Sequence, residues 1–120
     1  MYEQVGGHSF FERLVDGFYR SVEIDQVLRP MYPEDLDDSR RHLVLFLEQY
    51  WGGPRTYSAE RGHPRLRLRH APFRITNQAR DAWLRAMRSA LDGVKDDLTV
   101  EQFVELDSYF ATVAHQLRNV

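Results

Sequence analysis

The chain has 120 residues, no cysteine and a formal net charge of −2. This length predicts a single domain, residues 1–120, with enough chain to bury a core. The absence of cysteine excludes disulfides, thiolate metal sites and a cysteine nucleophile, and it fits a cytoplasmic protein. Neither a nucleic-acid nor a membrane partner is expected, because the net charge is near zero, no apolar run reaches membrane-span length and the first residues do not resemble a signal peptide.

The first predicted helix begins at a capping-box pair, Ser9 and Glu12. Residues at helical spacing predict its apolar face: Phe11, Leu14, Val15, Phe18 and Val22. Tyr19 falls on the same side and, taken alone, is interpreted as a tyrosine at the edge of the core. Pro30 and Pro33 then predict a tight corner around Tyr32, whose hydroxyl is either structural or directed into a cavity.

The next predicted helix opens with the acidic residues 34–39, whose negative charge suits the N-terminal end of the helix dipole. Its apolar face repeats at helical spacing and comprises Leu43, Phe46, Leu47, Tyr50 and Trp51. Gly52, Gly53 and Pro54 end this helix. Residues 54–65 show no periodicity and predict a loop that is longer than most connections.

Arginine is concentrated in residues 55–75, which contain six arginines and a single acidic residue. A solvated loop without a ligand and a binding site for carboxylates or phosphates explain this excess equally well. Residues 66–70 alternate as a strand does, but no partner strand is predicted and Pro72 follows closely. A short helical turn that presents His70 to the interior is therefore preferred.

Two further helices are predicted in the last third of the chain. Thr76 or Asn77 can cap the first of them. The apolar face of that helix comprises Ala79, Trp83, Ala86, Met87, Ala90, Leu91 and Val94. A second capping box, Thr99 with Gln102, opens the last helix. The apolar face of the last helix comprises Phe103, Leu106, Phe110, Val113, Ala114 and Leu117. No segment has the pattern of a hairpin, so the predicted fold class is all-α with about five main helices.

The chain has five histidines, and they limit the kind of metal site it can form. His8 and His115 are interpreted as surface or capping residues, and His63 as a structural residue before a proline. A zinc site needs three or four convergent ligands, and the remaining histidines and carboxylates show no such spacing. A haem iron needs only one proximal histidine. A single well-placed residue, His70, therefore argues for haem more readily than for zinc.

Several motifs occur together and in a fixed order along nearly the whole chain. They are Val5-Gly6-Gly7, Phe18-Tyr19, Tyr32-Pro33, Phe46–Pro54, Arg61-Gly62-His63-Pro64, Arg69–Ile75 and Trp83. A single Gly-Gly-Pro sequence is weak evidence, whereas the linked set is specific. The set resembles the truncated haemoglobins, the two-over-two globin family, and in particular their second group.

The resemblance implies a fold in which one haem b (iron protoporphyrin IX) lies between two antiparallel helix pairs. It implies that His70 is the proximal iron ligand and that Tyr19, Tyr32 and Trp83 surround the bound gas on the distal side. Ser39 stands where many globins carry a distal histidine, and the second group usually has a small residue there. Further haem contacts are expected from Pro30, Met31, Leu43, Phe46, Leu47, Leu66, Phe73, Ile75 and Met87. Contacts to the haem propionates are expected from Tyr57, Arg69 and Arg74, with Arg40 and His42 reaching over from the distal helix.

The resemblance also implies reversible binding of O2, and of CO, NO or peroxide, at the iron. Nitric oxide dioxygenase and peroxidase-like activity are both compatible with such a pocket. Turnover needs an unidentified reductase, because the sequence has no flavin or nicotinamide motif. Apolar residues on the outer helix faces leave a homodimer open.

Two alternatives remain open from the sequence. A histidine near the position of His42 binds the iron as a sixth ligand in some cyanobacterial relatives. Because one helical position is about 100° of rotation from Leu43, His42 is expected to point toward the haem edge instead. The competing functional class is a non-haem all-α module that binds an anionic partner through its arginine-rich loop; its binding should fall steeply with salt and survive His70→Ala.

Overall fold

A computed structural model describes residues 1–120 and contains helices but no strands, which confirms the all-α prediction. The six α-helices are α1 (Gly7–Ile24), α2 (Asp37–Tyr50), α3 (Thr56–Arg61), α4 (Leu66–His70), α5 (Asn77–Val94) and α6 (Val100–Leu117). Short 3-10 helices occupy Arg29–Met31, at the predicted proline corner, and Lys95–Asp97. No helix combines the length and the apolar character that a membrane crossing requires.

The helix starts show which capping predictions were correct. The predicted capping box at Ser9 was wrong, because α1 begins at Gly7 and its N-cap is Gly6, whose φ of +113° suits glycine. Thr76 caps α5 by accepting a hydrogen bond from the Ala79 N–H at 3.1 Å. The capping box of Thr99 with Gln102 at the start of α6 is confirmed.

The segment predicted as a loop at residues 54–65 contains the helix α3 instead. Its six residues are too few to show a helical period, and contacts with α2 hold them. The Gln49 amide accepts a hydrogen bond from the Ser58 N–H at 2.9 Å and donates one to the Ser58 hydroxyl at 2.7 Å. Arg41 on α2 donates to both carboxylate oxygens of Glu60 at 2.7 and 2.9 Å. The short helix predicted for residues 66–70 is confirmed as α4.

The helices form two pairs, α1 with α2 and α5 with α6, which are joined mainly through the packing of α1 on α5. One cluster of 20 buried residues runs through this contact and includes the fully buried Phe10, Phe11, Leu14, Val15, Phe18, Met87 and Leu91. Gly17 allows the close approach, since a Cβ atom there would lie 3.3 Å from the Ala90 Cβ atom. Because α2 packs on α1 and α3 while α4 packs on α6, a space is left between α2 and the α5–α6 pair.

Candidate functional site

The space beside α2 is a cavity of about 430 Å³. Of the 26 residues that line it, 19 are hydrophobic, and the lining residues come from all six α-helices and the segments between them. This volume and composition are typical of sites for small molecules and cofactors, in which a few polar groups fix the orientation of an apolar ligand. The polar groups of this cavity fall into three sets: His70, a group of hydroxyl and indole donors, and several arginines with His42 beside them.

The histidine is His70, the last residue of α4, which lines the cavity and is half-buried. Its Nδ1 atom lies 2.7 Å from the Leu66 carbonyl oxygen, four residues earlier on the same short helix. Because a carbonyl can only accept, Nδ1 carries the hydrogen, and in the neutral ring Nε2 keeps its lone pair. The carbonyl therefore fixes both the ring orientation and the tautomer, as is usual for histidines that ligate metals through Nε2.

The donors are Tyr19 on α1, Tyr32 at the proline corner and Trp83 on α5, and all three line the cavity. The two tyrosine rings meet edge to face with centroids 5.8 Å apart. Burial raises the pKa of Tyr32 to about 12, with the Trp83 indole opposing that rise. Burial also raises the pKa of Tyr19, and the neighbouring Tyr32 adds to the effect. Both phenols are therefore protonated at neutral pH and can donate hydrogen bonds, as can the indole N–H.

Two arginines, Arg61 on α3 and Arg69 on α4, lie at the same edge of the cavity as His42 on α2. Arg61 and Arg69 both line the cavity, and their guanidinium groups lie 5.8 and 6.0 Å from the centre of the buried Tyr57 ring. Arg69 donates to the Pro64 carbonyl at 2.8 Å, which orients its side chain. Arg61 bonds to Nδ1 of His42, and partial burial together with the Arg61 charge lowers the pKa of His42 below its ordinary value. This edge of the cavity is therefore positive even where His42 is neutral.

Most of the predicted site residues are brought together in the cavity lining. They are Tyr19, Met31, Tyr32, His42, Leu43, Phe46, Leu47, Tyr57, Leu66, Arg69, His70, Phe73, Ile75 and Trp83, together with Ser39. The structure gives their positions, and the individual roles stay predictions.

Four predicted contact residues lie outside the lining: Pro30, Arg40, Arg74 and Met87. Arg40 is held by Asp16 at 3.3 Å and Asp37 at 3.6 Å, so its guanidinium group is already paired. Met87 is 0% exposed and belongs to the core. Pro30 and Arg74 are exposed on the surface.

The lining also contains residues that sequence reasoning did not assign to a site. They are Phe18, Leu28, Pro33, Arg61, Ala79, Arg80, Tyr109, Phe110, Val113, Ala114 and Leu117. Four of the five α6 residues, all except Tyr109, were predicted as core, because an apolar helix face looks the same whether it covers another helix or a cavity. Arg61 was visible as part of the arginine excess and of the motif Arg61-Gly62-His63-Pro64, but it was assigned no contact.

The three sets of polar groups test whether a haem fits this cavity. Haem is a flat apolar ring with two carboxylates at its edge and an iron that accepts one protein nitrogen. The cavity offers apolar walls, the free Nε2 atom of His70 and the cations Arg61 and Arg69 at one edge. These features match the three parts of the group, so the residues present fit a haem.

Comparison with known proteins gives concordant matches along the whole chain. The bacterial-like globin family matches residues 1–117. The Group 2 truncated hemoglobin YjbI of Bacillus subtilis (strain 168) is 44% identical over 103 residues, which are 86% of this chain and 77% of that protein. A thermostable hemoglobin from the actinobacterium Thermobifida fusca superposes with a TM-score of 0.96 at 51% identity, covering 99% of this chain and 96% of that one. A truncated oxygen-avid haemoglobin from Bacillus subtilis gives a TM-score of 0.91 at 42% identity and covers 98% of both chains.

These matches agree with the cavity geometry and with the two helix pairs. A globin family implies a haem cofactor, and the cavity fits one. The chain therefore belongs to the bacterial-like globins and, within them, to the second group of truncated haemoglobins.

Proposed function

We propose that this protein holds one haem b in the cavity, with Nε2 of His70 as the protein ligand to the iron, and reversibly binds O2, CO or NO there. When bound, the haem supplies an iron that coordinates small diatomic ligands and exchanges single electrons. The observation that carries the proposal is one cavity that combines the free Nε2 atom of His70 with protonated donors on Tyr19, Tyr32 and Trp83. The relative from Bacillus subtilis that is described as oxygen-avid supports the choice of O2.

The three donors determine how firmly a polar ligand is held. Each can direct a hydrogen toward ligand atoms that carry partial negative charge, and an apolar cavity strengthens such bonds. The indole N–H of Trp83 can only donate, whereas the phenols of Tyr19 and Tyr32 can donate and accept. The phenols can therefore bond to each other or to the ligand, and Trp83 is the donor with no competing acceptor role.

Arg61 and Arg69 are proposed to hold the haem carboxylates, with His42 beside them. This choice replaces Arg40 and Arg74 of the sequence-based prediction, because those two residues lie outside the lining. The guanidinium groups of Arg61 and Arg69 already lie beside the Tyr57 ring, so little side-chain freedom is lost when a carboxylate arrives.

Redox turnover of nitric oxide or peroxide is a further part of the proposal. It requires electrons from outside the chain, and a separate reductase is the proposed source, since the sequence has no nucleotide-binding or flavin-binding motif.

The alternative is a non-haem module that grips an anion with the arginine-rich segment. Two of these arginines hold the segment itself: Arg69 donates to the Pro64 and Arg61 carbonyls, and Arg61 bonds to His42. These contacts keep both guanidinium groups at the edge of the cavity, and the apolar cavity behind them has no role in that alternative. The haem proposal explains both features.

An absorption spectrum of protein expressed with a haem supply tests the proposal. We expect an intense Soret band that shifts on reduction and again with CO, and that is lost or strongly changed in His70→Ala. His63→Ala is the matched control, because His63 is exposed in the neighbouring loop and does not line the cavity. A folded, haem-supplied protein without a Soret band would overturn the proposal, and the arginine-rich segment would then be tested with other anions.

A further inference from the structure

An unbroken series of aromatic rings joins the cavity to the protein surface. Trp83 in the cavity wall contacts Phe110 with ring centroids 5.9 Å apart, and Phe110 contacts Tyr109 at 5.5 Å. Tyr109 also lines the cavity, and its ring overlies that of Tyr50 with centroids 4.2 Å apart and an angle of 33° between the planes. The series ends at Tyr50, because Tyr50 is 53% exposed.

Tyr50 is the one exposed tyrosine among the six tyrosines of the chain. The other five are Tyr2, Tyr19, Tyr32, Tyr57 and Tyr109, and all of them are buried or half-buried. The Trp51 ring contacts both Tyr50 and Tyr109, with centroid distances of 5.0 Å and 5.4 Å. Three side chains of the two amino acids that are most readily oxidised by one electron are therefore in mutual contact between the cavity and the solvent.

We propose that Tyr109 and Tyr50, with Trp51 beside them, form a relay that delivers electrons from a donor at the surface to hydrogen peroxide reduced in the cavity. This inference rests on the proposed haem function and deepens it, since it assigns the place where a reducing partner acts. The donor class is a small phenol or enediol that meets Tyr50 without entering the cavity.

The relay balances electrons and protons at every step. Each hydrogen peroxide takes up two electrons and two protons, its O–O bond breaks and two waters leave. Tyr109 supplies one electron and its phenolic proton, and it regains both from Tyr50. Tyr50 then takes one electron and one proton from the surface donor, which leaves as a radical. Two such passages complete the reduction of one peroxide by two donor molecules.

The surroundings of Tyr109 are consistent with this coupled transfer. Burial raises its pKa, and the neighbouring Tyr50 adds to the rise, so Tyr109 is a neutral phenol at physiological pH. A neutral phenol in an apolar site loses its proton together with its electron, because a cationic ring would be poorly solvated there. A second route, from Tyr57 through Phe46 to Tyr50, has a phenylalanine at its centre and a longer last step of 6.4 Å. Phenylalanine is not readily oxidised, whereas Tyr109 lines the cavity itself and contacts Tyr50 directly, so the route that starts at Tyr109 is the better one.

The Tyr50 and Tyr109 rings also pack on each other between α2 and α6, so a test must separate this packing from electron transfer. Tyr109→Phe and Tyr50→Phe keep the rings and remove the oxidisable phenols. Tyr2→Phe is the matched control, because Tyr2 stacks on Phe11 and does not line the cavity.

The experiment treats each haem-loaded protein with hydrogen peroxide in the presence of a spin trap and locates the trapped radical by peptide mass spectrometry. We expect the adduct on Tyr50 in the parent protein, a severalfold loss of that adduct in Tyr109→Phe, and no loss in Tyr2→Phe. We also expect Tyr50→Phe to keep the Soret band and the CO shift while it oxidises the phenolic donor more slowly.

The location of the trapped radical and the Soret band test the relay and the haem proposal separately. Absence of a Tyr50 adduct, or an equal Tyr50 adduct in Tyr109→Phe or in haem-free protein, would overturn the relay while a normal Soret band left the haem proposal standing. Absence of the Soret band in the untreated parent protein would remove both proposals, so the two failures are distinguishable.

Discussion

The contact between α1 and α5 and the segment that carries α4 differ in how their chains are held in place. In α1, seven residues are buried, and six of them have 0% exposure: Phe10, Phe11, Leu14, Val15, Phe18 and Val22. In α4, no residue is buried, and Leu68 is 65% exposed. The following segment is held by Asn119, which accepts from the Ile75 N–H and donates to the Phe73 carbonyl, both at 2.9 Å.

The α1–α5 contact is therefore stabilised by apolar packing, whereas the segment that carries α4 is positioned by hydrogen bonds beside the cavity. Close-packed interiors respond to the loss of a few methyl groups, whereas exposed side chains seldom matter for stability. The helix that presents His70 has little apolar burial of its own. We expect a ligand in the cavity to bury more of this region, whereas the α1–α5 contact is already buried without a ligand.

The largest effect is expected from truncating matched leucines in the two regions. Leu14→Ala should lower the free energy of unfolding by about 3–5 kcal/mol, since it opens a space in a fully buried core. Leu68→Ala removes the same atoms from an exposed position and should change the free energy of unfolding by less than about 0.5 kcal/mol. Urea denaturation followed by circular dichroism measures both values. Equal losses would show that α4 is packed as tightly as α1 and would remove the contrast.

Trp83 belongs to both regions, because it packs against the core cluster and lines the cavity. Trp83→Phe keeps an aromatic ring but removes the N–H donor, which in a dry pocket is worth about 1–3 kcal/mol. Release of O2 should therefore become roughly five- to hundredfold faster in stopped-flow measurements. Trp51→Phe is the control, since Trp51 does not line the cavity. An unchanged rate of O2 release would exclude Trp83 as a donor to the ligand.

The long helices could be predicted from sequence because their apolar residues repeat over several turns. The helices α1, α2, α5 and α6 all appeared at the predicted places, and α4 followed from the lack of a partner strand. The helix α3 could not be predicted, because it has six residues and depends on contacts of Gln49 with Ser58.

The site was predictable to the extent that its residues belong to sequence motifs. His70, Tyr19, Tyr32 and Trp83 all lie in the lining of one cavity, although their roles await experiment. The charged edge was less predictable, since a long arginine side chain reaches partners that are distant in sequence. Arg40 pairs with Asp16 on another helix, and this contact is visible only in the folded chain.

The smallest expected effect concerns pH and the edge residue His42. Partial burial, and then the Arg61 charge, lower the pKa of His42 below its ordinary value of 6.5. As the pH falls below 6.5, the unfolded chain takes up a proton that folded His42 does not, so the folded state loses stability. This contribution of His42 to the free energy of unfolding is fully present above pH 6.5 and is lost below the pKa of His42 in the folded protein. Thermal unfolding of haem-free protein across this interval should therefore depend less on pH in His42→Gln, and Arg61→Gln should show an intermediate dependence.

Haem should weaken the dependence in the parent protein if a haem carboxylate reaches this edge, because a nearby negative charge raises the pKa of a histidine. An identical pH dependence in all three proteins would show that His42 does not sense the cations at the cavity edge.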